Sequence, residues 1–112
     1  ARLAEMLCQR TGMQKVFFSN SGAEANECMI KAARKYGEAT GRSTIVTLKD
    51  SFHGRTIAPL AATGQDVFHQ HFGPFPAGFA YAEPNDINSV RALSERENAC
   101  AVMLDHLKGE EI

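Results

Sequence analysis

The run Phe17-Phe18-Ser19-Asn20-Ser21-Gly22-Ala23-Glu24-Ala25-Asn26-Glu27 constrains the fold of this chain more than any other stretch. It reads as a buried strand over Val16–Ser19, then a tight polar turn that opens at once into a helix. Val16, Phe17 and Phe18 are β-branched or aromatic, the residue types that fill a sheet interior. Ser21 is a good N-cap, and Glu24 three positions on completes a Ser-x-x-Glu capping box. Gly22 and Ala23 form the first helical turn with almost no side chain over their backbone N–H groups. Unpaired N–H groups and the positive end of the helix then point the same way, which suits an anion. Two readings stand on these residues alone: an anion site, or a well-capped helix in an ordinary βα unit.

Composition excludes several alternatives. At 112 residues with 44% hydrophobic and 22% charged side chains, the chain has the make-up of a soluble globular domain with a modest core. A net charge of −1 gives no argument for nucleic acid or an anionic membrane surface. No apolar run approaches the roughly 20 residues a membrane helix needs, and no signal-peptide pattern opens the sequence. Cys8, Cys28 and Cys100 are isolated and lack C-x-x-C spacing, so they read as reduced, half-buried apolar residues of a cytoplasmic protein. Ala1 falls inside an apparent helix and Ile112 follows closely on an apparent strand, so the expectation is a segment of a longer protein.

Taken in order, Leu3, Met6 and Leu7 (with Arg10) recur at helical spacing until Thr11-Gly12 ends the run. After the strand at Val16–Ser19, a helix from Gly22 to about Glu38 carries Ala25, Met29, Ala32 and Tyr36 down one face, with Ile30 and Ala33 beside them. Glu27 and Lys31 are spaced i, i+4 on its wet side, and Gly37 and Gly41 mark its exit. Thr44–Leu48 is a second strand, running into the polar loop Lys49-Asp50-Ser51-Phe52-His53-Gly54-Arg55-Thr56. Ile57–Ala62 reads as a short apolar helix, and residues 65–78 as an irregular crossing. Phe79–Tyr81 is a third strand. Asn85-Asp86 cap a helix whose Ile87, Val90 and Leu93 face inward, and Cys100–Leu104 reads as a strand covered on both faces.

This alternation of helices and strands predicts an α/β fold: a mostly parallel sheet with flanking helices and right-handed crossovers. Ligands in such sheets sit beyond the carboxyl ends of the strands, where both polar loops begin. Gly22 and Ala23 are thereby expected to approach Phe52, His53 and Arg55. The first loop offers bare amides; the second offers a flat apolar ring and the fixed positive fork of a guanidinium. Together they suit a phosphorylated aromatic compound with a carboxylate beside it.

Phe17–Glu27 (FFSNSGAEANE) and Ser51–Thr56 (SFHGRT) resemble the class III aminotransferases, fold-type I enzymes that use pyridoxal phosphate. Ala62-Thr63-Gly64-Gln65, the Phe72-Gly73-Pro74 turn, and Gly78-Phe79-Ala80-Tyr81 with Asn85-Asp86 are similar to one branch of that family, the acetylornithine aminotransferases. The resemblance covers nearly the whole chain and implies that residues 1–112 are part of the family's large, cofactor-binding domain. It implies that Ser21, Gly22 and Ala23 hold the cofactor phosphate, that Phe52 stacks on the pyridine ring with His53 nearby, and that Arg55 grips the substrate α-carboxylate. Asp105 falls where the family carries a glutamate near the substrate side of the cofactor. The family pattern there is Glu-Pro-x-Gln-Gly-Glu-Gly-Gly, whereas this chain reads Asp105-His106-Leu107-Lys108-Gly109-Glu110-Glu111-Ile112.

The resemblance further implies an amino donor, N-acetylornithine or a related ω-amine, with 2-oxoglutarate as acceptor, and a homodimer as the working assembly. The family's Schiff-base lysine, and the aspartate that pairs with the pyridine nitrogen, match nothing in residues 1–112. Lys108 stands where the family has glutamine. By itself this segment is therefore expected to be inactive. Plainer readings compete at each position: core packing for Phe52, a surface ion pair for Arg55, helix capping for Glu24. His69-x-His71 lacks a third ligand at suitable spacing, so no metal site is expected.

Overall fold

Three short parallel strands lie side by side in the order β2-β1-β3, with helices on both faces. The computed structural model describes residues 1–104; Asp105 lies outside the described residues. The elements are α1 (Arg2–Thr11), α2 (Gly22–Glu38), β1 (Ile45–Leu48), α3 (Ile57–Ala62), a 3-10 turn at Asp66–His69, β2 (Phe79–Ala82), α4 (Ile87–Arg96) and β3 (Ala101–Val102).

β1 is central, and its residues decide where the core sits. Ile45, Val46 and Thr47 are fully buried, and alternation along the strand sends them to opposite faces. Ile45 packs with Ile30 of α2, Ala62 of α3 and Met103; Val46 packs with Ala82 and Leu93 of α4. From β1 to β2 the chain steps one way, and from β2 to β3 it steps back across β1. The connecting helices α3 and α4 accordingly lie on opposite faces, as a constant crossover hand requires. Thr47 is the polar member of the central strand, and its hydroxyl donates to Ala62 O at 2.9 Å. Among the described residues no helix is long and apolar enough to cross a membrane.

Four expectations need correction. Val16–Ser19 is not a strand. A strand exists only through a ladder with a neighbour, and among the described residues none pairs with it; Phe17 and Phe18 are 65% and 56% exposed. On α2 the buried stripe is not the Ala25–Met29–Ala32–Tyr36 face. It runs through Ala23, Asn26, Ile30, Ala33 and Gly37, whereas Met29 and Tyr36 are exposed. A hydrophobic count cannot separate two adjacent stripes on a helix this rich in alanine. Ile87 is exposed too, since it belongs to the first turn of α4, and only Val90 and Leu93 reach the sheet. Lastly, β3 is an edge strand covered on one face: Met103 is buried, while Val102 and Leu104 are exposed.

Candidate cofactor site

The N-terminus of α2 is built as its sequence requires. Ser21 is extended (φ −157°, ψ 164°), and its Oγ accepts from Glu24 N–H at 3.2 Å. The first intrahelical bond runs from Ala25 N–H to Ser21 O at 3.0 Å. The Glu24 carboxylate turns backward and accepts from Asn20 N–H at 2.9 Å, one residue before the cap. This leaves the N–H groups of Gly22 and Ala23 with no acceptor inside the helix, under the positive end of a 17-residue dipole. The negative charge of Glu24 is held behind the turn.

The second loop leaves β1 through Asp50, whose φ of 64° makes the turn. His53 is buried, and its peptide is held from both sides. Its N–H donates to Thr63 Oγ1 at 3.0 Å, and its carbonyl accepts from Asn26 Nδ2 at 2.7 Å. Gly54 then brings the loop against α2. Its φ is +123°, and a Cβ there would lie 2.8 Å from the Ala23 Cβ, so no larger residue fits without moving one element off the other. Phe52 is 42% exposed and meets Phe68 edge-on, with centroids 5.6 Å apart at 66°. The edge contact with Phe68 braces the ring at the mouth of the loop.

These two pieces converge. Gly22 and Ala23 from α2, with Phe52, His53 and Arg55 from the loop, line one cleft of about 610 Å³, and Asn26, Gly54 and Thr56 complete it. That volume suits a cofactor-sized ligand. Ser21 is not among the lining residues, because its hydroxyl serves the cap. Arg55 is exposed, and among the described residues it forms no ion pair, so its guanidinium remains available to a carboxylate. Among the described residues no lysine lines the cleft. The described cleft residues have the chemistry to bind an anion, stack on a flat ring and grip a carboxylate, and none of them carries an amine.

Sequence reasoning passed over Asn26, Gly54 and Thr63. For Asn26 a signal existed, since the Ala23, Asn26, Ile30 spacing places it on the buried stripe. For Gly54 the signal was a glycine between two functional side chains. For Thr63 no local signal existed. His69 lies at the end of the 3-10 turn, not on a strand, and its Nε2 pairs with Leu60 O at 3.0 Å. Among the described residues no group of three His, Cys, Asp or Glu side chains could hold a metal ion.

Among the described residues, Lys49 and Tyr81, both outside the cleft, titrate away from their ordinary values. Lys49 is paired with Glu83, whose hydrogen bond and then its charge raise the Lys49 amine above its ordinary value. Tyr81, half-buried, borders a polar hollow of about 310 Å³ that includes Lys49, Asp50 and Asp66. Burial, and secondarily the charge of Asp66, pushes its phenol up.

Comparison with known proteins gives a consistent picture. The family model described as aminotransferase class-III matches residues 1–112. The chain is 53% identical over 113 residues to the acetylornithine aminotransferase of Haemophilus ducreyi, a match covering 98% of this chain and 29% of that relative. Among solved structures, an ornithine aminotransferase from Toxoplasma gondii superposes with a TM-score of 0.86 over 97% of this chain and 27% of its own, at 24% identity, which speaks for the fold. An amine transaminase from an uncultivated Pseudomonas species, solved in its PLP-bound form, gives a TM-score of 0.77 over 92% of this chain and 29% of its own, at 25% identity.

Proposed function

The chain belongs to the class-III aminotransferases, and from that premise we propose that residues 1–112 form part of the pyridoxal phosphate-binding large domain of an enzyme that moves an amino group from N-acetylornithine to 2-oxoglutarate, releasing the semialdehyde and glutamate. The observation that carries this reading is the convergence of Gly22, Ala23, Phe52, His53 and Arg55 on one cleft.

Each residue then has a task its chemistry suits. Gly22 and Ala23 N–H groups receive the cofactor phosphate, aided by the helix end and by the backward turn of the Glu24 carboxylate. Ser21 keeps that turn open by taking the N–H of Glu24 onto its own hydroxyl. The Phe52 ring covers one face of the pyridine and excludes water there. His53 packs beside it through a peptide fixed at both ends, and no proton transfer is assigned to it. Arg55 holds the donor's α-carboxylate in a bidentate grip and so orients the terminal amine. When bound, the cofactor supplies an electron sink for the amino-group transfer. Covalent attachment falls to a lysine elsewhere in the protein. The working assembly in this reading is a homodimer.

The full-length protein mixed with pyridoxal phosphate should develop the visible absorption band of the protein-bound cofactor, and it should process N-acetylornithine with a higher kcat/KM than ornithine, 4-aminobutyrate or succinylornithine. No visible band in a protein with its lysine intact ends the aminotransferase reading; a preference for another amine ends only the donor assignment. Arg55→Ala should lower kcat/KM for the amino donor by about 30-fold or more, the worth of a charge-assisted hydrogen bond or two. Cofactor affinity should stay nearly constant. Equal loss of both would remove Arg55 from the carboxylate role.

A further inference from the structure

Among the described residues, the loop that carries Phe52 and Arg55 is tied down from two directions by different kinds of bond. Toward α3 the ties are local in sequence. Gly64 N–H donates to Ser51 Oγ at 3.0 Å, the Gln65 side-chain amide to Ser51 O at 2.8 Å, and His53 N–H to Thr63 Oγ1 at 3.0 Å. Thr63 in turn donates to Pro59 O at 3.0 Å, so the acceptor is itself fixed. These bonds set the loop's own shape. Toward α2 the tie is long-range: Asn26 Nδ2 donates to His53 O at 2.7 Å across 27 residues of chain. It links the helix bearing the two bare amides directly to the loop bearing the ring.

Asn26 is also a costly residue for its position. Asparagine is a poor helix former, because its side chain competes for nearby backbone groups. Here the amide is spent across the cleft wall rather than on its own helix. It lies three residues beyond Ala23 on the same stripe, and Gly54 packs directly against Ala23. The two elements touch through glycine and alanine, and the Asn26 bond ties them across that contact.

We propose that Asn26 is a positioning residue of the cofactor cleft: by holding the His53 carbonyl it sets the separation between the Gly22–Ala23 amides and the Phe52 ring. This rests on the pyridoxal phosphate reading given above. The phosphate and ring of that cofactor are joined by a single methylene bridge, so their spacing is nearly fixed. A cradle with the wrong spacing satisfies one end and loses the other. Because the ties to Ser51 and Thr63 do not involve Asn26, its removal keeps the loop's shape and frees only its seat on α2.

The test uses the full-length protein. Asn26→Ala and Asn26→Leu both remove the donor, Leu with bulk retained, and both residues are better helix formers than asparagine. The dissociation constant for pyridoxal phosphate should rise about tenfold in each, as for one lost positioning hydrogen bond. The stability of the cofactor-free protein to urea should stay within about 0.5 kcal/mol of wild type, under the roughly 1 kcal/mol of an ordinary hydrogen bond. At saturating cofactor the visible circular dichroism of the bound ring should change in amplitude, and Asn26→Gln, which keeps an amide donor, should fall between wild type and Ala. Unchanged affinity and dichroism in Asn26→Ala overturn the proposal. So does a cofactor-free stability to urea that drops in step with affinity, which marks a general structural role. A wild-type protein that binds no pyridoxal phosphate removes the functional reading itself, and with it this inference, before any variant is made.

Discussion

The helices α2 and α4 both begin on a side-chain cap, yet they present opposite faces to a ligand. At α4, Asp86 Oδ1 accepts from Asn88 N–H at 3.1 Å and Ser89 N–H at 3.2 Å, and Ser89 Oγ accepts from Glu83 N–H at 3.0 Å. A carboxylate thus sits on the positive end of its own helix and uses two of the free amides. At α2 the cap is a neutral hydroxyl that takes one N–H, and the Glu24 carboxylate faces back to Asn20. The macrodipole is the same kind of field at both ends. The difference is which group has already answered it: α4 is neutralised from within, while α2 leaves two amides and its positive end to the cleft. A helix N-terminus becomes an anion site through what its cap leaves unspent.

The sharpest way to break this contrast is to place a carboxylate on the positive end of α2. A Cβ at Gly22 would meet nothing within 4 Å, so Gly22→Asp places a carboxylate in the first turn without a clash. At about 4 Å from a bound phosphate, two like charges repel by about 4 kcal/mol at an effective dielectric of 20. Pyridoxal phosphate affinity of the full-length protein should therefore fall by about 100-fold or more, while cofactor-free stability holds or rises by about 0.3–1 kcal/mol from the added helix-end charge. Titration by visible absorbance and urea unfolding read the two effects. Undiminished affinity would show that the phosphate lies elsewhere.

Both caps were legible in the sequence because everything they need lies within four residues. Ser21 with Glu24, and Asp86 with the first turn of α4, are local chemistry. The layered parallel sheet was legible too, since alternating segments restrict connections to few topologies. What failed shares one cause. Phe17 and Phe18 look like a strand, but a strand is defined by a neighbour that no local pattern supplies. Ile87 has inward spacing, but whether a first-turn residue reaches the sheet depends on where the helix is docked. The grip of Asn26 on His53 and the contact of Gly54 with Ala23 join residues about 30 apart, and no periodicity reports them. The resemblance to a family singled out Gly22, Ala23, Phe52, His53 and Arg55, which the structure brings to one cleft, and the structure adds Asn26, Gly54 and Thr63, which hold the loop in place.

A smaller effect sharpens the same contrast from the other end. Asp86→Ala removes the α4 cap and should cost about 1 kcal/mol of stability, the usual worth of such a cap, measured by urea unfolding. Pyridoxal phosphate affinity should not move. If it falls along with stability, the two helix ends are coupled and the distinction between a structural cap and a ligand-facing cap fails for this chain.

The smallest effect concerns α3, on which the α2 cleft leans and α4 does not. Tyr81 lies on β2 between Ala80 and Ala82, which face α4, so alternation turns Tyr81 to the opposite side, where its hydroxyl donates to Ala61 O near the end of α3. Burial raises its phenol above the ordinary value of about 10. The folded state therefore holds the proton more tightly than the unfolded chain. The resulting stability is fully present below about pH 10 and is lost as pH rises through the higher folded value, when a tyrosinate can no longer donate to that carbonyl. Unfolding free energies of the wild type and Tyr81→Phe should differ by a constant amount from pH 8 to about pH 10, and the wild type should then decline relative to the variant. The same pair compared in an Asp86→Ala background should show the same dependence, because the Asp86 cap and the Tyr81 contact lie on opposite faces of the sheet. Parallel curves throughout would mean that the Tyr81 proton does not support α3. A dependence that vanishes with the α4 cap would join the two faces that the packing keeps apart.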